Sequence, residues 1–330
     1  MGQRLCPVRI VIAGILIVAT LMGNAPPALA QPAAPVDFSG DLTGKQAAAF
    51  EGLLADWGFQ PFGADGDWTD RDAYALALFQ RWAGLKPTGK ANNATRAALR
   101  QAWGKYGSRT IPRRRLALEG RAIGVNAGHQ SGKDKTYEQV SPDPGSPWKY
   151  SVSIGTCGRW TKVPEYALTL TVALRLRDAL QDRGAYVYMV RTSNDVRIGN
   201  AKRAQMMNDA GVDLGIVIHA DGNNNASVRG LHVLQPGERG YQRGAVLAES
   251  QRFAGLMLQN ALAATGSKGR GLSTRSDLLS FNWAKMPICL IEMGFVTNKT
   301  EDTLLQSAAY QKKIVAGMVQ AVKAYYQTMK

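Results

Sequence analysis

From residue 122 onward, short and largely apolar runs alternate with longer amphipathic segments, and few folds accommodate that alternation. The apolar runs are Ala122–Val125, Tyr186–Val190, Leu214–Ile218, Leu231–Leu234 and Ile288–Ile291. Between them, Pro164–Arg183 carries Leu168, Val172, Leu176 and Leu180 at i+4 spacing and stops at Gly184. Ala201–Ala210 stops at Gly211, Leu247–Leu262 is amphipathic, and Tyr310–Tyr325 lines up Ile314, Met318 and Val322. Apolar residues three and four apart predict helices, and runs apolar on both faces predict buried strands. Strands buried on both faces belong to a parallel sheet covered twice over. The expected fold of residues 121–330 is therefore α/β: a mostly parallel twisted sheet with helices on both faces.

In such a sheet, ligands bind beyond the carboxyl ends of the strands, so the polar residues that follow each run carry the functional signal. Ala122–Val125 leads to Asn126-Ala127-Gly128-His129, Leu214–Ile218 leads to His219-Ala220-Asp221, and Ile288–Ile291 leads to Glu292. Glu165 opens the first long helix. The chain has three histidines, and two of them, His129 and His219, stand at strand ends. His232 lies inside a run. Two histidines and one carboxylate make a sound donor set for catalytic zinc, with a second carboxylate available as a base. The ligands are dispersed, so no helical His-Glu-x-x-His signature is present.

The N-terminal third reads differently. Arg4 and Arg9, the apolar run Ile10–Met22 and the small residues Ala28-Leu29-Ala30 form the pattern of a cleaved secretory leader over residues 1–30. Export to the cell wall or periplasm, without a stable membrane anchor, is expected. Residues 38–103 carry three short helical patterns: Ala49, Leu53, Leu54 and Trp57, then Leu76, Phe79 and Trp82, then Asn93 to Trp103. They predict a small all-α three-helix domain. Residues 104–120 form a basic linker whose Arg113-Arg114-Arg115 run reads as a solvated tether. The net charge of +15 suits an anionic partner, such as anionic wall polymers in an exported protein. No nucleic-acid-binding motif accompanies it, and nucleic acid is not an expected partner. Cys157 and Cys289 make no disulfide framework, and Cys289 sits in an apolar run as a buried thiol.

Residues 121–326 resemble the zinc-dependent N-acetylmuramoyl-L-alanine amidases. The matching pieces are Val125 to His129, Glu165 with Ala173 to Leu176, Arg203 to Asn208, Ile216 to Asp221, and Met286-Pro287 with Leu290 to Phe295 and Asn298. The resemblance implies that one zinc ion is bound by His129, Glu165 and His219, that Glu292 is the catalytic carboxylate, and that the bond cut joins N-acetylmuramic acid to L-alanine in peptidoglycan. Asn126 stands where the family usually has Asp, Gln130 where it has a second Gly, and Thr169 where Asn is common. Asn126 is expected to hydrogen-bond behind a metal ligand, though more weakly than a carboxylate. The N-terminal helices resemble the small peptidoglycan-binding domain through Leu54-x-x-Trp57-Gly58, Asp65 to Trp68, Leu78 to Gln80 and Thr95 to Leu99. That unit is expected to raise affinity for insoluble wall without taking part in the chemistry. A longer loop from Lys133 to Thr161, with Trp148, Tyr150 and Trp160, reads either as the edge of a sugar groove or as a packed surface loop. The stripe Leu247, Phe253, Met257 and Leu258 predicts a helix packed on the sheet and not across the site, so no obligatory protein activator is expected. Two other functions stay open at this point: a catalytically silent wall-binding or regulatory protein, and a zinc peptidase of related fold.

Overall fold

The computed structural model describes residues 45–59, 62–63, 65–132 and 136–328. The apolar leader pattern and Cys6 lie outside these residues. Among the described residues, no helix is long and apolar enough to cross a membrane.

Three helices come first: α1 (Lys45–Asp56), α2 (Asp70–Trp82) and α3 (Asn93–Tyr106). Their apolar faces close on one cluster that includes Phe50, Leu54, Trp57, Phe59, Leu76, Phe79 and Leu99. Thr69 caps α2 in a reciprocal box with Asp72, and the Asn92 side chain caps α3. The chain then runs through β1 (Ala122–Ala127), the hairpin strands β2 (Tyr137–Gln139) and β3 (Trp148–Tyr150), α4 (Glu165–Gln181), β4 (Tyr186–Met189), α5 (Asn200–Asp209) and β5 (Leu214–Asp221). It continues through β6 (Leu231–Pro236), α6 (Gly244–Thr265), β7 (Gly269–Arg275), α7 (Leu279–Asn282), β8 (Ile288–Phe295), α8 (Lys299–Leu305) and α9 (Ala308–Gln327).

Six strands form one sheet in the order β4-β1-β5-β8-β6-β7. Strands β4, β1, β5 and β8 are parallel. Strand β6 runs antiparallel to β8, and β7 runs parallel to β6. The sheet is thus mostly parallel, with a reversed pair at one edge. One face is covered by residues of α4, α6 and α9, among them Leu176, Phe253, Met257, Ile314 and Met318. The other is covered from α5 and the α7 region, through Ala204, Met207, Phe281 and Met286. Helix α6 packs by its apolar stripe, as its sequence predicts.

The segment after α3 is not a free tether. Gly104 to Tyr106 belong to α3, and Ile111 and Leu118 are buried. The Arg113 side chain is only 9% exposed. It forms an ion pair with Glu119 at 2.6 Å and also donates to the Gly58 carbonyl. Only Arg114 and Arg115 of the basic run are exposed. A buried guanidinium needs partners for its donors, and the Arg113 pairing draws the segment onto the body of the protein. The helical unit itself docks on the β4 side. Arg71 donates to the Ala210 and Gly211 carbonyls, Tyr74 to the Gly184 carbonyl, and Arg81 pairs with Asp182 at 2.8 Å. The rings of Phe62, Tyr74 and Tyr186 cluster at this junction.

Candidate active site and metal centre

Four side chains singled out by sequence meet above the carboxyl ends of β1, β5 and β8. His129 follows β1 in a left-handed backbone conformation, φ 60°, which a non-glycine residue adopts only with support. Arg203 provides that support: it donates to Asn126 Oδ1, to the Ala127 and His129 carbonyls and to Gln130 Oε1. Arg191 donates to the Ala127 and Gly128 carbonyls and to Tyr166. Two buried guanidiniums therefore hold one loop by its carbonyl groups. Desolvation pushes both Arg pKa values down, to about 9 for Arg203 and about 10 for Arg191. Thr169 donates to the Gly128 carbonyl.

The imidazole of His129 is oriented by Ser153. Its Nδ1 lies 2.9 Å from the Ser153 carbonyl oxygen, which can only accept a hydrogen bond, so Nδ1 carries the proton. Its Nε2 lies 3.2 Å from Glu165 Oε1. His219 lies within β5, and its Nδ1 is 3.0 Å from the same Glu165 oxygen. Its ring rests on the backbone of Gly128, where a Cβ would come within 2.4 Å of Nε2. The glycine before His129 is thus required for the two rings to approach. A second glycine, Gly155 (φ +79°), passes equally close: a Cβ there would lie 2.6 Å from His129 Cδ2 and 2.8 Å from Glu165 Oε2.

Glu165 is the first residue of α4, where the helix dipole favours negative charge. Its Oε2 accepts from the backbone N–H and hydroxyl of Thr156, and its Oε1 accepts from Ala220 N–H. Burial opposes its ionisation, but hydrogen bonds to His129 and His219 outweigh this and hold the carboxyl well below the usual range. Burial also pushes the His219 imidazole pKa down, toward the neutral form. An ionised carboxylate and a neutral imidazole such as that of His219 are protonation states a metal requires.

Glu292 lies inside β8, in register with His219 on one side and His232 on the other. Its Oε2 is buried with no hydrogen-bond partner among the described residues. Burial, followed by the charges of Glu165 and Asp221, raises its pKa well above the usual carboxylate range. His129, Ser153, Thr156, Glu165, His219 and Glu292 line one open cleft of about 360 Å³.

The sequence reading placed His129, Glu165, His219 and Glu292 at one edge, and the structure brings them together. It differs on two points. Strands β5 and β8 extend past His219 and Glu292 instead of ending before them, so these side chains project from the sheet and not from loops. Asn126 serves Arg203 and not a histidine; the carbonyl of Ser153 orients His129 in its place. Ser153 and Thr156 escaped notice because their loop has no periodicity to read.

The fold and the site define a class: an α/β protein with a His–Glu–His cluster and a separate buried carboxylate over a parallel sheet. Residues 123–324 match the family model described as N-acetylmuramoyl-L-alanine amidase, and residues 43–99 match that of a putative peptidoglycan binding domain. The chain belongs to the N-acetylmuramoyl-L-alanine amidase family, and its substrate class is peptidoglycan. An N-acetylmuramoyl-L-alanine amidase of Mycobacterium tuberculosis is 30% identical over 220 residues, 64% of this chain and 88% of that protein. The crystal structure of an N-acetylmuramyl-L-alanine amidase from Mycobacterium smegmatis superposes with TM-score 0.58 at 26% identity, covering 64% of this chain and 99% of that one. The apo form of the Mycobacterium abscessus enzyme gives TM-score 0.57 at 30% identity, covering 63% and 100%.

Proposed function

We propose that this chain hydrolyses the amide between N-acetylmuramic acid and L-alanine, using one zinc ion held by His129, Glu165 and His219 and Glu292 as general base. The observation that carries this reading is that one ligand atom from each of the three residues lies within 4.8 Å of the others. Zinc bonds of about 2.0–2.2 Å in a tetrahedral site set neighbouring donor atoms roughly 3.3 Å apart, and the 3.0 and 3.2 Å separations here need little adjustment. When bound, zinc would supply Lewis acidity toward the amide carbonyl and positive charge in the cleft that Glu292 also lines.

The protein's own groups do the rest. Ser153 and Thr156 fix His129 and Glu165, so no reorganisation is needed at the moment of reaction. Glu292 accepts a proton from the attacking water as its oxygen bonds to the lactyl carbonyl carbon. The carbon–nitrogen bond then breaks, and Glu292 returns the proton to the departing alanine nitrogen. No covalent intermediate is required. The proposal extends to organisation: residues 1–30 a secretory leader, 38–103 a wall-binding unit, 104–120 a connecting segment and 121–330 the catalytic domain, acting outside the cytoplasm without an obligatory protein activator. Mass spectrometry of purified peptidoglycan digested by the zinc-loaded chain alone is expected to find stem peptides with a free L-alanine amine, and glycan stripped of peptide. Cuts inside the stem peptide, or an inert chain, would refute the reading.

Arg203 offers a second measurement. Lysine has one charged nitrogen where Arg203 uses a fork of donors, so Arg203→Lys cannot serve at once Asn126 Oδ1, the Ala127 and His129 carbonyls and Gln130 Oε1. Zinc affinity is expected to fall about 10–100-fold, as when other outer partners of ligands are lost. Competition titration against a chromophoric chelator reads this, and unchanged affinity would show that the loop holds itself.

A further inference from the structure

The β2–β3 hairpin is built inside out. Its register pairs Tyr137 with Tyr150, Glu138 with Lys149 and Gln139 with Trp148. Side chains alternate between faces along a strand, so Tyr137, Tyr150 and Trp148 share one face while Glu138 and Lys149 share the other. The charged face is half-buried and anchored to the body of the protein. Glu138 accepts from the backbone N–H groups of Ala201 and Lys202 at the start of α5, and Lys149 pairs with Asp277 at 2.6 Å. Trp283 Nε1 donates to the Gln139 carbonyl. These anchors leave the aromatic face in solvent: Tyr137 is 51% exposed, Trp148 63% and Tyr150 63%. The rings of Tyr137 and Tyr150 stack at 4.4 Å. Trp160, from the same loop, belongs elsewhere: its backbone N–H is held by Asp302. Three large aromatics locked outward on a two-stranded hairpin mark an interaction surface.

We propose that this face binds the sugar rings of the glycan strand on either side of the muramic acid whose amide is cut. The inference rests on the peptidoglycan amidase reading and adds to it the part of the substrate that the hairpin contacts. The face is tied to the cleft by a short stretch of chain: Tyr150 is three residues from Ser153, which lines the cleft and orients His129. Three residues of chain span at most about 11 Å. A pyranose presents a face of C–H bonds that stacks on the electron-rich face of an aromatic ring, and its hydroxyls need the polar atoms that Tyr137 and Tyr150 bring. The chemistry of the face disfavours other occupants. A lipid surface selects cations beside its aromatics, and Lys149, the one cation among the described residues of β2 and β3, is paired with Asp277. Protein interfaces set methionine and arginine beside their aromatics, and β2 and β3 carry neither.

The test uses the full chain and the double variant Trp148→Ala/Tyr150→Ala, whose side chains leave the core untouched. On glycan polymer, KM is expected to rise about tenfold with kcat little changed, since two ring contacts together approach that factor. On a single-sugar muramoyl dipeptide, kcat/KM should be unaffected. The conservative variant Trp148→Phe/Tyr150→Phe should restore most of the binding, because the rings return and one hydroxyl alone is lost with Tyr150. Calorimetric titration with a peptide-free oligosaccharide of alternating N-acetylglucosamine and N-acetylmuramic acid should show the same weakening without any catalysis. That arm answers even if the amide is not the bond cut. Equal losses on both substrates would overturn the proposal, placing the effect in the His129 loop. So would unchanged glycan affinity, or loss confined to binding of phosphatidylglycerol vesicles.

Discussion

Glu292→Gln is expected to lower kcat by about 10² to 10⁴, the usual cost of losing a positioned general base, while zinc content stays at the parent level. The substitution keeps the shape of the side chain and removes its ability to take a proton. Glu292 is not among the three residues whose ligand atoms converge, so metal binding has no reason to change. Stability gives an independent readout. A buried carboxyl with an unpartnered oxygen, near Glu165 and Asp221, is costly to ionise. A neutral amide avoids that cost, and the metal-free variant should melt no lower than the metal-free parent. Activity within a few-fold of the parent would remove Glu292 from the mechanism. A large fall in zinc content would instead make it a ligand.

His219→Ala should abolish activity through the metal. One of three ligands is lost, and the cavity opens beside Gly128, on which the ring rests. Loss of an outer hydrogen-bond partner alone weakens metal sites about 10–100-fold, so loss of a ligand should cost at least about 10² in zinc affinity. Elemental analysis after dialysis reads the stoichiometry directly. Glu165 also loses one of the two imidazoles that hold its carboxyl ionised. Zinc should therefore no longer raise the melting temperature of the variant, whereas it should raise that of the parent by mass action. Full zinc retention in His219→Ala would overturn the assignment of all three ligands, since they were selected together by their convergence.

Much of this molecule was legible in its sequence because the signals were local. The i+4 stripe of Leu168, Val172, Leu176 and Leu180 marks α4, and Gly184 marks its end, through contacts between near neighbours that any helix must satisfy. The apolar runs around His219 and Glu292 locate β5 and β8 for the same reason, and the rule that ligands bind beyond strand carboxyl ends did the remainder. Strand β7 was invisible because it is an edge strand with Leu272 as its one apolar side chain, exposed along most of its length. The hairpin β2–β3 escaped because three-residue strands are too short to show a period.

Sequence alone determined the fold class, the three-helix unit and the four candidate residues of the site, since each depends on spacing along the chain. Tertiary structure decided everything that depends on which distant groups meet. It reversed β6 and β7 against the parallel strands, buried Arg113 on Glu119, gave Asn126 to Arg203 and gave His129 to Ser153. It also turned the aromatics of the hairpin outward by anchoring Glu138 and Lys149. The physical reason is common to these cases: a buried charge or backbone carbonyl must find a partner. The spacing along the chain says that a partner is needed, and only the folded geometry says which residue is within reach.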